Sequence, residues 1–374
     1  MLQQIGKIVL IIFVAVSLQA CVGNRAELKS DNAEKPLPNE MNLKRSVLEK
    51  FLPPKAVPLK VAKSFTPNSD GVFVYPISLA TSEDGQIYVS DNNGQAIHKV
   101  PSDLNTATRF SKENVEQDEK KLKYPNTIRF YNNKIFVADN DGIKVFKQNG
   151  ELEKIIRTYY SINDFSIDSE GSFYVNANFL TASQENSLII KLDENGTRIG
   201  GAGRRSNPAE DNDAEGIAYV EVKEPNIIVA YKHLPLVQIF DIKSRDLIRE
   251  FEVKHPIFGE LKKLKNDKEF ANPKTGIFVL PRYFAGVKVF DNKIYLLLHF
   301  PYPEIIEFDS QGNELNRYRS EAIAAMNYFG FDVRSVGGAR QFIVGVIEPL
   351  RAPTIAAFSP NTETKSKDQQ EQKK

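Results

Sequence analysis

The stretch Gln86–Asp91 (QIYVSD) decides the fold, because much of the remaining sequence repeats its pattern. Its apolar, β-branched and aromatic residues predict a buried β-strand. Tyr75–Ala80 (YPISLA) predicts a strand before it, Glu83–Gly85 (EDG) a turn between the two, and Ala96–Val100 (AIHKV) a strand after it. Strand, turn, strand, loop and strand in this order indicate one antiparallel unit made of hairpins.

The same unit recurs along the chain. In its second copy, Lys134–Asp139 (KIFVAD) takes the place of Gln86–Asp91, and Asn132-Asn133 stands where a tight hairpin needs positive φ. Later copies run over Asn163–Gly196, Glu215–Val253 and Ala285–Arg319, and a weaker one runs over Phe331–Phe358. The repeat therefore unites the body of the chain in one domain.

These copies predict an all-β fold, a six-bladed β-propeller over residues 58–358. No long helical pattern separates the copies, which argues against a parallel α/β fold. A β-sandwich would not repeat one unit so often. The last copy lacks an outer strand, and Leu59–Phe65 stands unused before the first copy. We expect this N-terminal strand to close the last blade, because pairing removes an exposed edge.

The N-terminus predicts export. Lys7 precedes the apolar run Ile8–Val16, which is shorter than the ~20 residues needed to span a bilayer as a helix. Leu18–Cys21 (LQAC) resembles the lipobox of bacterial lipoproteins, although Gln19 departs from its usual small residue. We interpret residues 1–20 as a signal peptide, 21–57 as a lipidated cysteine and flexible tether, and 359–374 as a disordered polar tail.

Cys21 is the only cysteine of the 374 residues, so its lipidation would leave no thiol for a disulfide. The lipobox resemblance implies a membrane as partner, reached through acyl chains on Cys21. It places the body in the cell envelope. Val22, rather than Asp, follows the cysteine. In the lipoproteins of diderm bacteria this is similar to the signal for release to the outer membrane, with a periplasmic or surface-facing body.

Composition and motifs disfavour several functions. Lys plus Arg number 49 and Asp plus Glu number 48, so no basic excess favours nucleic acid as a partner. The four histidines are scattered, without the paired spacing of zinc proteases. No Gly-x-Ser-x-Gly motif presents a nucleophilic serine.

The strands Ile87–Asp91 and Ile135–Asp139, each after a Gly or Asn turn, resemble NHL-type repeats and the wider group of six-bladed, TolB-like propellers. This resemblance covers most of residues 58–358. It implies a fold and leaves the function open, because one fold hosts many functions.

Candidate site residues follow from the expected topology. In a propeller, first strands begin and second strands end at the same rim of the central channel. We therefore expect a set of carboxylates and amides to meet at the channel mouth: Asn126, Asn163, Asp164, Glu215 and Asp139. An ordinary structural role in turns is the alternative for such residues, and above all for Asp139.

Two functions stay open at this point. The first is a ligand- or protein-binding module whose partner is an envelope protein, a peptide or a glycan. The second is a Ca²⁺-dependent hydrolase of small esters or lactones. Resemblance to gluconolactonase-type propellers implies metal ligands at Glu215, Asn126 and Asn163, with Asp139 or Asp164 as the fourth. Oxygen donors of this kind suit Ca²⁺.

Overall fold

The computed structural model describes residues 56–67, 73–110, 121–177, 187–204, 216–259, 261, 281–300, 302–323, 325, 327–348 and 352–361. Backbone contacts divide the chain into two units, one of residues 1–55 and 254–281, the other of 56–253 and 282–374. The first unit's described residues include a turn in which Phe258 N–H donates to His255 O at 3.0 Å. Cys21 and Glu215 lie outside the described residues.

The second unit consists of β-strands. The first is β1 (Val57–Phe65). The next four form a sheet: β2 (Pro76–Thr81), β3 (Ile87–Asp91), β4 (Ala96–Val100) and β5 (Thr108–Arg109). The following sheet contains β6 (Ile128–Tyr131), β7 (Lys134–Asp139), β8 (Gly142–Lys147) and β9 (Leu152–Arg157). The next contains β10 (Ile162–Ile167), β11 (Phe173–Ala177), β12 (Ser187–Leu192) and β13 (Arg198–Arg204). The fourth contains β14 (Ala218–Lys223), β15 (Asn226–Tyr231), β16 (Leu236–Asp241) and β17 (Leu247–Glu252).

The remaining strands share an eight-stranded sheet with β1. They are β18 (Phe284–Phe290), β19 (Lys293–Leu298), β20 (Glu304–Phe308), β21 (Glu314–Arg319), β22 (Asn327–Val336), β23 (Ala339–Ile347) and β24 (Thr354–Pro360). The strand order is β18-β19-β20-β21-β1-β24-β23-β22. The N-terminal strand β1 pairs antiparallel with β24, from Leu59 opposite Pro360 to Phe65 opposite Ile355. Its parallel contact with β21 is limited to Val57–Tyr318 and Pro58–Arg319.

The first strands of the sheets contact one another in a closed sequence around a central channel. Side-chain contacts link them in turn: Asp332 to Thr81 N–H at 2.8 Å, Ser78 to Ile128 N–H at 3.2 Å, Thr127 to Asn163 O at 3.2 Å, Asp164 to Val220 N–H at 2.8 Å, and Lys288 to Glu221 at 3.5 Å and to Asp332 at 4.0 Å. The all-β propeller fold predicted from the repeat is confirmed by this arrangement.

Apolar side chains from consecutive sheets fill the space between them. Phe136 and Ile143 of one sheet pack with Phe165 and Phe173 of the next. The second strands are the most buried, and every residue of β3 and β11 is buried. The outer strand β17 is largely exposed. A second strand lies between its sheet neighbours and packs on both faces, which explains its continuous apolar sequence.

Turns and close contacts depend on particular residues. Asn132 and Asn133 have φ of 46° and 58° and connect β6 with β7, which confirms the predicted hairpin turn. At the channel wall, a Cβ on Gly330 would come within 2.5 Å of Leu79 Cγ and 2.7 Å of Leu79 N. Only glycine therefore lets β22 approach β2 this closely.

Candidate functional site

A cavity of about 220 Å³ opens where the first strands begin and the second strands end. Its wall combines backbone and apolar residues of β2, β18 and β22 with polar side chains from six first-strand segments and one second-strand end. The polar and charged side chains in this wall are Tyr75, Ser78, Asn126, Thr127, Arg129, Asn163, Asp164, Tyr219, Lys232, Arg282, Lys288, Asn327 and Tyr328. We call this cavity the channel mouth.

Three of the residues singled out from the sequence line the channel mouth: Asn126, Asn163 and Asp164. Each comes at or just before the first strand of a sheet, so the propeller brings them together from distant parts of the chain. Asp139 is not in the wall. Glu215 lies outside the described residues.

Asp164 is a buried carboxylate whose two oxygens both accept hydrogen bonds. One of its oxygens accepts a hydrogen bond from Arg129 Nη2 at 2.8 Å, and the other accepts one from the Val220 N–H at 2.8 Å. The amides of Asn126 and Asn163 donate to Ile162 O at 3.1 Å and to Asn176 Oδ1 at 3.3 Å. The contacts of Asp164 and Asn126 join neighbouring sheets, whereas the contact of Asn163 with Asn176 lies within one sheet. Together they fix the orientation of the wall.

Asp139 stabilises the segment that leads into its own sheet. Its carboxylate accepts hydrogen bonds from the N–H groups of Lys123 and Tyr124, the latter at 2.6 Å. It also pairs with the buried Lys144 at 2.7 Å. This is the structural role in the turn that the sequence left open as the alternative.

Asp91 occupies the equivalent place in the preceding sheet. It accepts hydrogen bonds from Val74 N–H at 2.6 Å and Tyr75 N–H at 2.7 Å. Burial alone would raise the pKa of this carboxyl, but the His98 imidazole, with Nε2 3.4 Å away, and hydrogen bonds from the backbone hold the pKa below its ordinary value. A second-strand aspartate therefore secures the loop before the first strand in both sheets.

The sequence pattern missed the cations of the channel mouth. Lys232 directly follows β15, and Arg282 lies two residues before β18. Arg129 and Lys288 lie within the first strands β6 and β18. A basic residue inside, or next to, a strand that lines the channel would have predicted these cations. The prediction from the sequence used carboxylates and amides alone and therefore did not include them.

Lys232 and Arg282 differ from the other two cations. Arg129 pairs with Asp164, and Lys288 lies 3.5 Å from Glu221 and 4.0 Å from Asp332. Among the residues that the structure describes, no carboxylate oxygen lies within 4.0 Å of Lys232 Nζ or of the Arg282 guanidinium. Lys232 Nζ instead lies over the ring of Tyr219, 4.4 Å from its centroid.

Electrostatics in the channel mouth follow from burial and from these cations. Burial lowers the pKa of Lys232 to about 8; Asp164 opposes this shift, while Arg282 and Arg129 add to it. Burial also lowers the pKa of His299 to about 4, with a further contribution from Arg282. The His299 imidazole is therefore neutral at pH 7, and its Nε2 lies 3.2 Å from Asn327 Oδ1.

The described residues of the channel mouth do not fit a Ca²⁺ ion well. Of the described residues, Asp164 is the only carboxylate in the wall, and it already accepts hydrogen bonds from Arg129 and the Val220 N–H. Over the described ranges, no three His, Cys, Asp or Glu side chains form a group suited to a metal ion. Ca²⁺ normally takes 6–8 oxygen ligands.

Several aromatic residues near the ends of the strands belong to the core. Tyr283, Phe284, Phe300, Tyr302 and Phe329 are all buried, so they pack the fold. Tyr124 and Tyr159 are the exposed aromatic side chains in the described ranges, and each precedes a first strand. Within the described residues, no helix is long and apolar enough to cross a membrane.

Comparisons with known proteins identify similar folds. No family model and no curated protein matches the chain. A gluconolactonase from Xanthomonas campestris is 10% identical over 80% of this chain and 98% of its own, with a TM-score of 0.49. A virginiamycin B lyase from Staphylococcus aureus is 9% identical over 80% and 99%, with a TM-score of 0.47. A streptogramin B lyase is 11% identical over 82% and 88%, with a TM-score of 0.47. At this identity the similarity concerns the fold alone.

Proposed function

We propose that the chain is a binding protein of the cell envelope, held to a membrane by lipid on Cys21, and that its propeller binds a small polar ligand in the channel mouth. The observation that carries the binding role is the convergence of polar and charged side chains from six first-strand segments on one cavity of about 220 Å³. Concave sites with a few convergent polar groups are where ligands usually bind.

We further propose that the propeller has six blades. Strands β18–β21 have the order of the four-stranded sheets, and β22-β23-β24-β1 repeats it with β1 as outer strand. Only two residue pairs join β21 to β1, which supports counting the eight-stranded sheet as two blades. This count agrees with the NHL-like and TolB-like resemblance of the repeats, and that resemblance also stays a proposal.

Binding is tested on the full chain, purified in detergent, by its melting temperature with a panel of small neutral and charged molecules. A ligand that binds only the native state raises the melting temperature by mass action. We expect at least one compound to raise the melting temperature of the wild-type chain. The same compound should not raise the melting temperature of the Asn163→Ala variant. If no compound gives a shift that depends on channel-mouth residues, the proposed role is wrong.

Lipidation is tested in bacterial cells that produce the full chain and receive an alkyne-labelled fatty acid. The wild-type chain should incorporate the label, and the Cys21→Ser variant should not. Absence of label from the wild-type chain, or equal label in both, would contradict the anchor.

The Ca²⁺-dependent hydrolase stays the alternative, and no described contact favours it. Its test is the melting temperature with added Ca²⁺ and with excess chelator. A Ca²⁺-dependent rise that disappears in Glu215→Ala and Asn126→Ala would favour the hydrolase over the binding module. No response to either addition would argue against it.

A further inference from the structure

Two cations of the channel mouth have no counter-ion among the residues that the structure describes. Lys232 is fixed by its backbone, since its N–H donates to Ile217 O at 2.9 Å and its carbonyl accepts from Tyr283 N–H at 2.8 Å. Arg282 directly precedes Tyr283, so this second bond brings the two cations to neighbouring positions of the wall. Both side chains are partly buried, and neither has a carboxylate within 4.0 Å among the described residues.

Such an arrangement is costly for the fold alone. Removing a charge from water without a partner costs free energy, which is why most buried cations are paired. Two fully paired cations of this propeller show the usual arrangement: Lys144 pairs with Asp139 at 2.7 Å and Arg317 with Glu304 at 3.2 Å. The ring of Tyr219 below Lys232 compensates in part, because an aromatic face attracts a cation.

The remaining charges do not neutralise this pair. Asp164 interacts with Lys232 over a longer distance, but its oxygens are bound to Arg129 and to the Val220 N–H. Arg129 and Arg282 both act on Lys232 with the same sign of charge. Within the part of the chain that the structure describes, the Lys232–Arg282 corner is therefore positive and lacks an anion of its own.

The cavity has room for an anionic group. Its volume of about 220 Å³ is several times the roughly 30 Å³ that one water molecule takes. That space accepts a carboxylate or phosphate group, and the opening of the cavity lets the rest of a small molecule extend outward. Asn126, Asn163 and Asn327 line the same cavity and provide neutral polar groups for the rest of such a molecule.

We propose that Lys232 and Arg282 bind the anionic group, a phosphate or carboxylate, of a small molecule that occupies the channel mouth. This inference rests on the proposed binding function and names the chemistry of its ligand. An ammonium and a guanidinium together offer several donors to one oxyanion. Binding would supply the counter-ion that the fold itself does not.

The test uses the full chain in detergent at pH 7 and constant ionic strength, with isothermal titration and melting temperature as readouts. The probes are inorganic phosphate, glucose 6-phosphate, glucuronate and, as the neutral match, glucose. Binding of inorganic phosphate indicates a free ion as ligand, and binding only of a sugar acid or sugar phosphate indicates an anionic group on a larger molecule.

We expect at least one anionic probe to bind, with glucose at least tenfold weaker. Lys232→Met and Arg282→Met should each weaken that binding at least tenfold, and Lys232→Arg should restore part of it. Lys147→Met is the matched control, because Lys147 is exposed on β8 and paired with Glu151 at 3.2 Å. It should leave binding unchanged.

Three results would overturn the inference. Undiminished anion binding in both Lys232→Met and Arg282→Met would place the anion elsewhere. Binding of glucose but of no anion, with loss in Asn163→Ala, would refute the anionic ligand and leave the binding function standing. Absence of any channel-dependent binding, in these probes and in the wider panel, would refute both.

Discussion

Lys144 and Lys232 are two lysines of the same propeller with opposite surroundings. The side chain of Lys144 is 1% exposed, and its ammonium pairs with Asp139 at 2.7 Å and donates to Lys121 O. Lys232 lines the channel mouth and lies over an aromatic ring, with no carboxylate within 4.0 Å in the described parts of the chain.

The difference separates structural charge from charge available for a ligand. Lys144 and Asp139 satisfy each other, so neither has capacity left for another molecule. Lys232 and Arg282 keep their capacity to bind an anion. A buried charge with its partner therefore points to stability, whereas a partly buried charge without one points to binding.

The largest effect is expected for Lys144→Met. This change leaves the carboxylate of Asp139 buried without its cation, and breaking a buried pair in this way costs about 3–5 kcal/mol of unfolding free energy. Urea denaturation of the wild-type chain and the variant measures this loss of unfolding free energy. A loss below about 1 kcal/mol would mean that the pair does not stabilise the sheet, which would break the comparison.

A second paired carboxylate predicts acid sensitivity. Burial would raise the pKa of Glu307, but hydrogen-bond donors and cations lower it from 4.5 to about 2. The groups that contact this carboxylate are Lys293, Tyr295, Asn316, Tyr318 and Arg340.

Because the folded-state pKa of Glu307 lies below the unfolded one, its contribution to stability is present above about pH 4.5 and is lost as the pH falls toward 2. We expect a contribution on the order of 3 kcal/mol. The wild-type chain should therefore lose stability over this window more steeply than Glu307→Gln, measured by denaturation at several pH values. Parallel curves for the two would contradict the prediction.

Lys232→Met should cost little or stabilise the chain, by up to about 1 kcal/mol. The low pKa of Lys232 means that its charge opposes folding fully below about pH 8 and that this cost disappears as the pH rises toward 10.5. The stability of the wild-type chain relative to Lys232→Met should thus rise between pH 8 and 10. A loss as large as that of Lys144→Met would show that Lys232 has a partner.

The smallest effect is expected for Lys147→Met. Lys147 and Glu151 form an exposed pair, with side chains 48% and 56% accessible. Such pairs contribute about 0.5 kcal/mol or less. Urea denaturation of this variant sets the baseline for the same substitution at the two buried lysines, and a loss above about 1 kcal/mol would invalidate it as control.

Much of the fold was predictable because its signal is local and repeated. The strand Lys134–Asp139 was predicted with the bounds that β7 has. The apolar run and the Asn132-Asn133 turn before it act over a few residues, so they can be recognised in the sequence. The pairing of β1 with β24 was also expected, since an incomplete last blade leaves a strand edge to fill.

The site was predictable only in part. The rule that first strands begin at one rim brought Asn126, Asn163 and Asp164 to the same cavity. The state of each charge could not be read from the sequence, because a partner for it comes from another blade. Arg129 pairs with Asp164 of the neighbouring sheet, whereas Lys232 has no carboxylate within 4.0 Å among the described residues.

The central claim is that Lys232 lacks a counter-ion until a ligand provides one, and the pKa of Lys232 itself tests this most directly. We would follow the ¹³Cε resonance of labelled lysines in the full chain with pH, assigned by its absence in Lys232→Met. We expect a midpoint near 8 without ligand, which then rises when the best-bound anionic probe is added. A midpoint near 10.5 that does not change with any anion would contradict the account.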